Sequence, residues 1–339
     1  MMGEVRECVV TGQRVIYAPA RARRPQDFAK QRQAGAGPSS APADCPFCPG
    51  HEALLAEIIL EVPDGSGQSW KTRVVLNKYP AVTPNDTVWT GSKDAEPAVG
   101  RHEVIIETPR HDGDAAALSP GEYEAVIETY LNRFRSIMSE GKFKSIHIFR
   151  NHGGAAGTSL RHPHSQLIAL ATIPPAIAEA RDRAFCYFTC SGRSVFADLL
   201  EIERDSGRRI VCENACFVAF VPYAAEVPFE IWIMPKRQQP SFCDIEPAEN
   251  KDLGALLGTC LRRLQNRLGD PAYNYVIMTT SGEEPAQPWL CWYLRIVPRF
   301  TNPAGFELGS GMHINPSIPE QDAAYLREGP KAAARGRAE

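Results

Sequence analysis

Residues 151–166 read NHGGAAGTSLRHPHSQ and join two apolar stretches. Upstream, Ser145-Ile146-His147-Ile148-Phe149 alternates as a strand does; downstream, Leu167-Ile168-Ala169-Leu170-Ala171 is apolar throughout. The pattern predicts strand, glycine loop, strand. Side chains alternate faces along a strand, so His162, His164 and Gln166 share one face. Gly153, Gly154 and Gly157 let the backbone approach a ligand closely, and their N–H groups can cradle an anion. Two imidazoles and an amide beside that loop suit attack on a phosphate and the holding of its oxygens. A lone HxH is more often a solvated or core-edge pair, and glycine pairs are common in loops. The whole string is far more specific than either part.

Around this segment lies a chain of 339 residues, long enough for about two domains and a sizeable core. Apolar residues make up 43% and charged residues 23%, the balance of an ordinary globular protein. A net charge of -3 gives no broad electrostatic case for nucleic acid or membrane as partner. The start, Met1-Met2-Gly3-Glu4-Val5-Arg6-Glu7-Cys8, has no apolar h-region, and no run reaches membrane-spanning length. A cytoplasmic chain is expected, its ten cysteines reduced and some of them metal ligands.

In chain order, residues 11–19 read as a turn entering a strand, followed by the basic cluster Arg21, Arg23 and Arg24, which composition alone makes a solvated turn. Residues 30–44 are rich in Gly, Pro, Ser and Ala and read as a loop. Cys45-Pro46-Phe47-Cys48 is a metal half-site or a redox pair, and the βαβ context that a redox pair wants is missing. A strand over 72–76 ends at Asn77-Lys78-Tyr79-Pro80, where Asn77 can be a plain turn former. Another strand covers 102–109, with His111 just beyond it. Residues 118–139 have helical spacing after the start Ser119-Pro120-Gly121-Glu122, and 176–187 read as helical too. The pattern then restarts. Strands are expected over 210–214, 217–223 and 230–236. A helix carries Leu253, Leu256, Leu257, Cys260, Leu261, Leu264 and Leu268, and strands over 273–279 and 291–298 follow. Each half runs strands, helix, strands, which is a degenerate repeat. The expected fold class is α+β, with halves expected over 1–185 and 186–330 and a polar tail over 331–339 expected to be disordered.

The central segment resembles the nucleotidyltransferase branch of the histidine-triad superfamily. This is the galactose-1-phosphate uridylyltransferase family, and the chain looks close to its ADP-glucose phosphorylase-like branch. The family signature is Asn, a glycine loop, Ser, then His-Pro-His-x-Gln; here these are Asn151, Gly157, Ser159, His162-Pro163-His164 and Gln166. The resemblance spans roughly residues 8–328 and is strongest over 151–166. It implies two fused histidine-triad-like halves sharing a largely antiparallel sheet with flanking helices. Only the first half should be catalytic, since the second has no HxHxQ.

The same resemblance implies roles for individual residues. His164 is the nucleophile and Gln166 its catalytic partner. Asn151, Gly157, Thr158 and Ser159 bind substrate, Asn77 lies against the nucleoside, and Arg21 and Arg24 lie near the phosphates, where guanidinium forks fit. Thr158 stands where the best-known members have Cys. Cys45 and Cys48 join His111 and His162 in one closed structural zinc site, which would pin the strand that carries His164. The matching positions of a second metal site are Ser194, Ala197, Gln238 and Cys291, a poor ligand set. Cys186 and Cys190 with Cys291 are the route by which such a site could be rebuilt.

A neutral His164 would attack the α-phosphorus of a sugar nucleotide, giving a nucleotidyl-histidine and ping-pong kinetics. Its far ring nitrogen needs an acceptor for the N–H, which the sequence does not identify. Hydrolases of the superfamily carry a third His where Gln166 stands, and an amide neither protonates a leaving group nor activates water as imidazole does. Transfer is therefore expected over hydrolysis. The first reading is a homodimeric transferase of galactose metabolism, using UDP-glucose and a hexose 1-phosphate. The alternative keeps the chemistry but uses an ADP-sugar and phosphate, as an ADP-glucose phosphorylase does. A zinc-stabilised nucleotide-binding protein without turnover is opposed by the intact His164 and Gln166. The residues tied to galactose recognition are not recognisable over 305–316, so the sugar is open.

Overall fold

The computed structural model describes residues 3–18, 44–67, 69–84, 95–112, 115–279 and 287–328. The first half supplies strands β1 (Glu4–Glu7), β2 (Arg14–Tyr17), β3 (Ile58–Pro63), β4 (Trp70–Leu76) and β5 (Gly100–Ile106), helix α1 (Pro120–Met138), then β6 (Ser145–His152) and β7 (His164–Leu170). Helices α2 (Pro175–Ser191) and α3 (Val195–Ser206) lead into the second half. It runs β8 (Ile210–Glu213), β9 (Phe217–Phe220), β10 (Ile231–Pro235), α4 (Pro247–Leu268), β11 (Tyr273–Met278) and β12 (Tyr293–Pro298). Helix α5 (Gly305–Ser310), β13 (His313–Asn315) and α6 (Pro319–Arg327) close the described chain.

Ten strands form one antiparallel sheet in the order β3-β4-β5-β7-β6-β11-β12-β10-β9-β8. From each edge inward the order is the same, so the repeat in the sequence is a repeat in the sheet. The two halves meet at the β6–β11 seam, where Asn151 lies opposite Asn274. This is the α+β architecture anticipated above. A small second sheet pairs β1 with β2, and β2 in parallel with β13.

Helices α1 and α4 cover one face of the large sheet. On α1 the apolar stripe Tyr123, Val126, Ile127, Tyr130, Leu131, Phe134 and Ile137 is buried, as its helical spacing requires. On α4 the stripe from Leu253 to Leu268 is buried likewise. The two helices cross closely because α4 offers Gly258, where a Cβ would fall 2.6 Å from the Tyr123 ring. Helix α1 starts at a capping box: Ser119 Oγ accepts the Glu122 N–H and Glu122 Oε2 accepts the Ser119 N–H.

The other face differs between the halves. In the second half, Ala184 of α2 and Val195, Phe196 and Leu199 of α3 pack on Trp232, Met234 and Tyr293. In the first half, the corresponding face carries Cys45, Phe47, Cys48, Trp70, Val75, Val104 and Ile106. The sequence reading contained neither α3 nor β3. Strand β3 mixes Ile58, Ile59 and Leu60 with Glu61 at an edge and shows no clean period, whereas α3 has a helical apolar face, Val195, Phe196 and Leu199, that its spacing could have revealed.

Candidate active site and metal centre

The metal ligand candidates come from three places in the chain. Cys45 and Cys48 lie on a turn where the Cys48 N–H donates to the Cys45 carbonyl at 3.3 Å. His111 follows β5, and His162 precedes β7. The fold brings all four together, with their ligand atoms within 4.8 Å of one another. Cys45 Sγ is 3.6 Å from His162 Nδ1; Cys48 Sγ is 3.7 Å from that nitrogen and 3.3 Å from His111 Nδ1. A tetrahedral ion with Zn–S about 2.3 Å and Zn–N about 2.0–2.1 Å separates sulfur from nitrogen by about 3.6 Å. The donor set and spacing fit such an ion. His162 Nε2–H donates to the Thr108 carbonyl at 2.7 Å, which leaves the Nδ1 lone pair toward the sulfurs. Burial lowers the His162 imidazole to about 4, so it is neutral, as a ligand must be. Burial and the neighbouring Cys45 push the Cys48 thiol up to about 11, so metal loading must displace its proton.

Two residues on from His162, His164 is buried on the same face. Its Nδ1–H donates to the His162 carbonyl at 2.8 Å. That main-chain oxygen is the acceptor that the sequence left unidentified. It holds the proton on Nδ1 and leaves the lone pair on Nε2. Burial lowers the imidazole to about 4, so the ring is uncharged near neutral pH. Phe47, between the two cysteines, packs edge-on against both rings, 5.2 Å from His164 and 6.0 Å from His162 between centroids. The turn that carries the cysteines therefore also holds the His164 ring in place.

Gln166 is half-buried beside His164, and its Oε1 lies 2.9 Å from His102 Nε2. His102 sits on β5 with no role read from the sequence. Asn77, just past β4, donates its N–H to the His102 carbonyl at 2.9 Å and accepts the Tyr79 N–H on Oδ1 at 2.8 Å. Asn77 is thus a turn former and a neighbour of the site at once.

The glycine loop leaves β6 and makes one short turn at Gly154–Ala156. Gly157 closes it at φ +86°, a left-handed value that disfavours other residues. Gly153 has φ +81°, and a Cβ there would also lie 2.8 Å from Ala272 Cβ. Thr158 Oγ1 donates to the Asn151 carbonyl across the loop, and Ser159 is exposed at its end. The second half ties the loop down. Asn274 Nδ2 donates to Asn151 Oδ1 at 2.7 Å and to the Ala156 carbonyl at 2.9 Å, and Arg299 Nε donates to Asn274 Oδ1. Behind β7, Ser165 points the opposite way from His164, into a buried cluster. There Glu107 accepts from Ser165, from Tyr130 at 2.9 Å and from Tyr275 at 3.3 Å, and pairs with Arg150.

Of the residues picked from the sequence, His164, Gln166, Asn77, Asn151, Gly157, Thr158, Ser159 and the four metal candidates are described; Arg21 and Arg24 lie outside the described residues. The second-half positions are knitted by hydrogen bonds. Gln238 Nε2 donates to the Pro288 carbonyl at 3.2 Å and to the Leu290 carbonyl, and Ser194 Oγ donates to the Trp289 carbonyl at 3.2 Å. Burial pushes the adjacent Cys291 thiol up to about 12.

Comparison with known proteins places this geometry. Residues 4–174 match the model of the galactose-1-phosphate uridyl transferase N-terminal domain, and residues 181–327 match that of its C-terminal domain. An ADP-glucose phosphorylase of Arabidopsis thaliana is 36% identical over 332 residues, covering 96% of this chain and 92% of the relative. A galactose-1-phosphate uridylyltransferase of Thermotoga maritima is 26% identical over 340 residues, covering 96% and 98%. The crystal structure of an Arabidopsis thaliana ADP-glucose phosphorylase with bound ADP-glucose superposes with a TM-score of 0.83 at 34% identity, over 97% of this chain and 99% of that one. With both domain models matched in order along nearly its whole length, the chain belongs to the galactose-1-phosphate uridyl transferase family.

Proposed function

We propose that the chain transfers a nucleotidyl group through His164, with an adenine nucleotide sugar as donor and phosphate as acceptor. In the first step the Nε2 lone pair attacks the α-phosphorus. A P–N bond forms, the P–O bond to the distal phosphate breaks, and its electron pair leaves with the sugar 1-phosphate. In the second step a phosphate oxygen attacks the same phosphorus, the P–N bond breaks, and its electrons return to Nε2. The proton on Nδ1 stays on the ring throughout, facing the His162 carbonyl. The observation that carries this chemistry is that hydrogen bond, because it aims an uncharged nitrogen out of the strand. Gln166 and the loop N–H groups would hold the non-bridging oxygens as charge develops.

The uridylyl reading was the first one drawn from the sequence, and the comparisons favour the adenylyl alternative. The support is the 36% identity to an ADP-glucose phosphorylase, against 26% for the Thermotoga uridylyltransferase over a similar length. Turnover of ADP-glucose with phosphate should exceed that of UDP-glucose with galactose 1-phosphate by at least about tenfold in kcat/KM, a margin of about 1.4 kcal/mol. The reverse ranking restores the uridylyltransferase reading. We further read the Cys45, Cys48, His111 and His162 cluster as one structural zinc site. Four protein ligands would leave such an ion no open position, so its part would be to fix His162 and, through it, His164.

A further inference from the structure

The face of β7 that bears His164 and Gln166 continues on β5 through His102, Val104 and Ile106, since His102 pairs with Ile168 and Val104 with Gln166. His102 is buried there, 8% exposed, and its two ring nitrogens have different partners. Nδ1 faces the main-chain N–H of Ala81 at 3.1 Å, a group that can only donate. Nδ1 is therefore the bare nitrogen and Nε2 carries the proton. Nε2–H in turn meets Gln166 Oε1 at 2.9 Å. Were the Gln166 amide reversed, its NH2 would face that N–H, donor against donor. Asn77 Nδ2 stands 3.0 Å from the same Nε2; its Oδ1 is engaged by the Tyr79 N–H, so this is a contact between donors and adds no attraction.

We propose that His102 is a positioning residue that fixes which end of the Gln166 amide meets the phosphoryl group. The chain of hydrogen bonds starts at a backbone N–H, which cannot reverse, and passes through one tautomer of one ring to one orientation of one amide. The NH2 end of Gln166 is left for the ligand. The two ends of an amide have nearly the same shape, so packing alone selects poorly between them. The wrong end would present a carbonyl oxygen to a group gaining negative charge. The inference rests on the nucleotidyl-transfer reading above and gives Gln166 the orientation which that reading needs.

The test uses His102→Phe, which keeps a buried ring but has no N–H, and His102→Gln, whose amide nitrogen falls near the place of Nε2. Each is made alone and with Gln166→Ala, with melting temperature and zinc content as checks on folding. Single-turnover transfer of label from ADP-glucose to the protein is followed. His102→Phe should slow transfer by about 10–100-fold, the usual range for removing a group that orients a functional side chain. KM should move less than about twofold, because the loss falls in the transition state. His102→Gln should recover most of the rate. In the Gln166→Ala background His102→Phe should change the rate by less than about twofold, since its effect runs through Gln166. An undiminished effect in that background, or a His102→Gln variant as slow as His102→Phe, overturns the inference. Long-range 15N–1H NMR of the free wild type supplies a readout without activity: His102 should be protonated on Nε2, and a proton on Nδ1 refutes the assignment whatever the rates. Absence of label on the wild type removes the transfer reading and the inference with it. Label together with additive effects or the wrong tautomer removes the inference alone.

Discussion

At the scale of single residues, the proposed chemistry divides the labour between His164, which would react, and Gln166, which would hold. Their types and spacing were legible in the sequence because strand alternation puts positions 162, 164 and 166 on one face. What orients them was not. The acceptor for His164 Nδ1–H is the carbonyl of His162, and every residue has a carbonyl, so no letter marks it. His102 and Phe47 were passed over for a different reason: each acts across strands or loops, at sequence distances that only the β5–β7 register and the Cys45–Cys48 turn bring close. Gln166→Ala should lower the rate of nucleotidyl transfer by about 10²–10³-fold, as loss of one donor to a developing oxyanion does. Pre-steady-state measurement of the first half-reaction reads this directly, and a change under about threefold would place Gln166 outside the chemistry.

At the scale of elements, the sequence pattern predicted α1 and α4, each with one clear apolar stripe, and most strands of the large sheet, several of them apolar runs buried on both faces. Apart from α3, the elements that the periods did not reveal are short or lie at an edge. Helix α6 shows a dependence that no periodicity reveals. Asp322 is fully buried there; its Oδ2 accepts the Phe229 N–H at 3.0 Å and its Oδ1 accepts from Ser317. Burial outweighs those bonds and pushes the carboxyl up to about 7. The unfolded chain releases that proton near pH 4. Between these values the folded chain binds more protons, so this group's contribution to stability falls as pH rises from about 4 to about 7 and is level above. Denaturant unfolding should therefore show wild type losing stability relative to Asp322→Asn between about pH 5 and pH 7.5. A difference that does not change with pH would show that the carboxyl titrates normally in the folded protein.

At the scale of the whole molecule, two halves of the same strand order share one sheet, and their outer faces have diverged. In the second half α2 and α3 pack on that face, and Gln238 and Ser194 make hydrogen bonds where metal ligands would be needed. In the first half the face keeps the Cys/His cluster and the histidine beside it. One zinc per chain is accordingly expected by elemental analysis of protein purified without chelator. Cys45→Ser should abolish that zinc and slow nucleotidylation, because His162 would lose its anchor. Two zincs, with the second lost on Cys291→Ser, would mean that the second half has rebuilt a site. The halves still cooperate at the seam, where Asn274 holds Asn151 and the glycine loop, a contact legible only once β6 is known to pair with β11. The central claim is that the nucleotide passes through a covalent bond to His164. Intact-mass and peptide mass spectrometry of the protein after incubation with ADP-glucose, before and after phosphate is added, tests it most directly. The account predicts an adenylyl group on the peptide carrying His164, absent in His164→Ala and released as ADP when phosphate is supplied. Turnover of ADP-glucose without any such adduct, or turnover retained by His164→Ala, would contradict it.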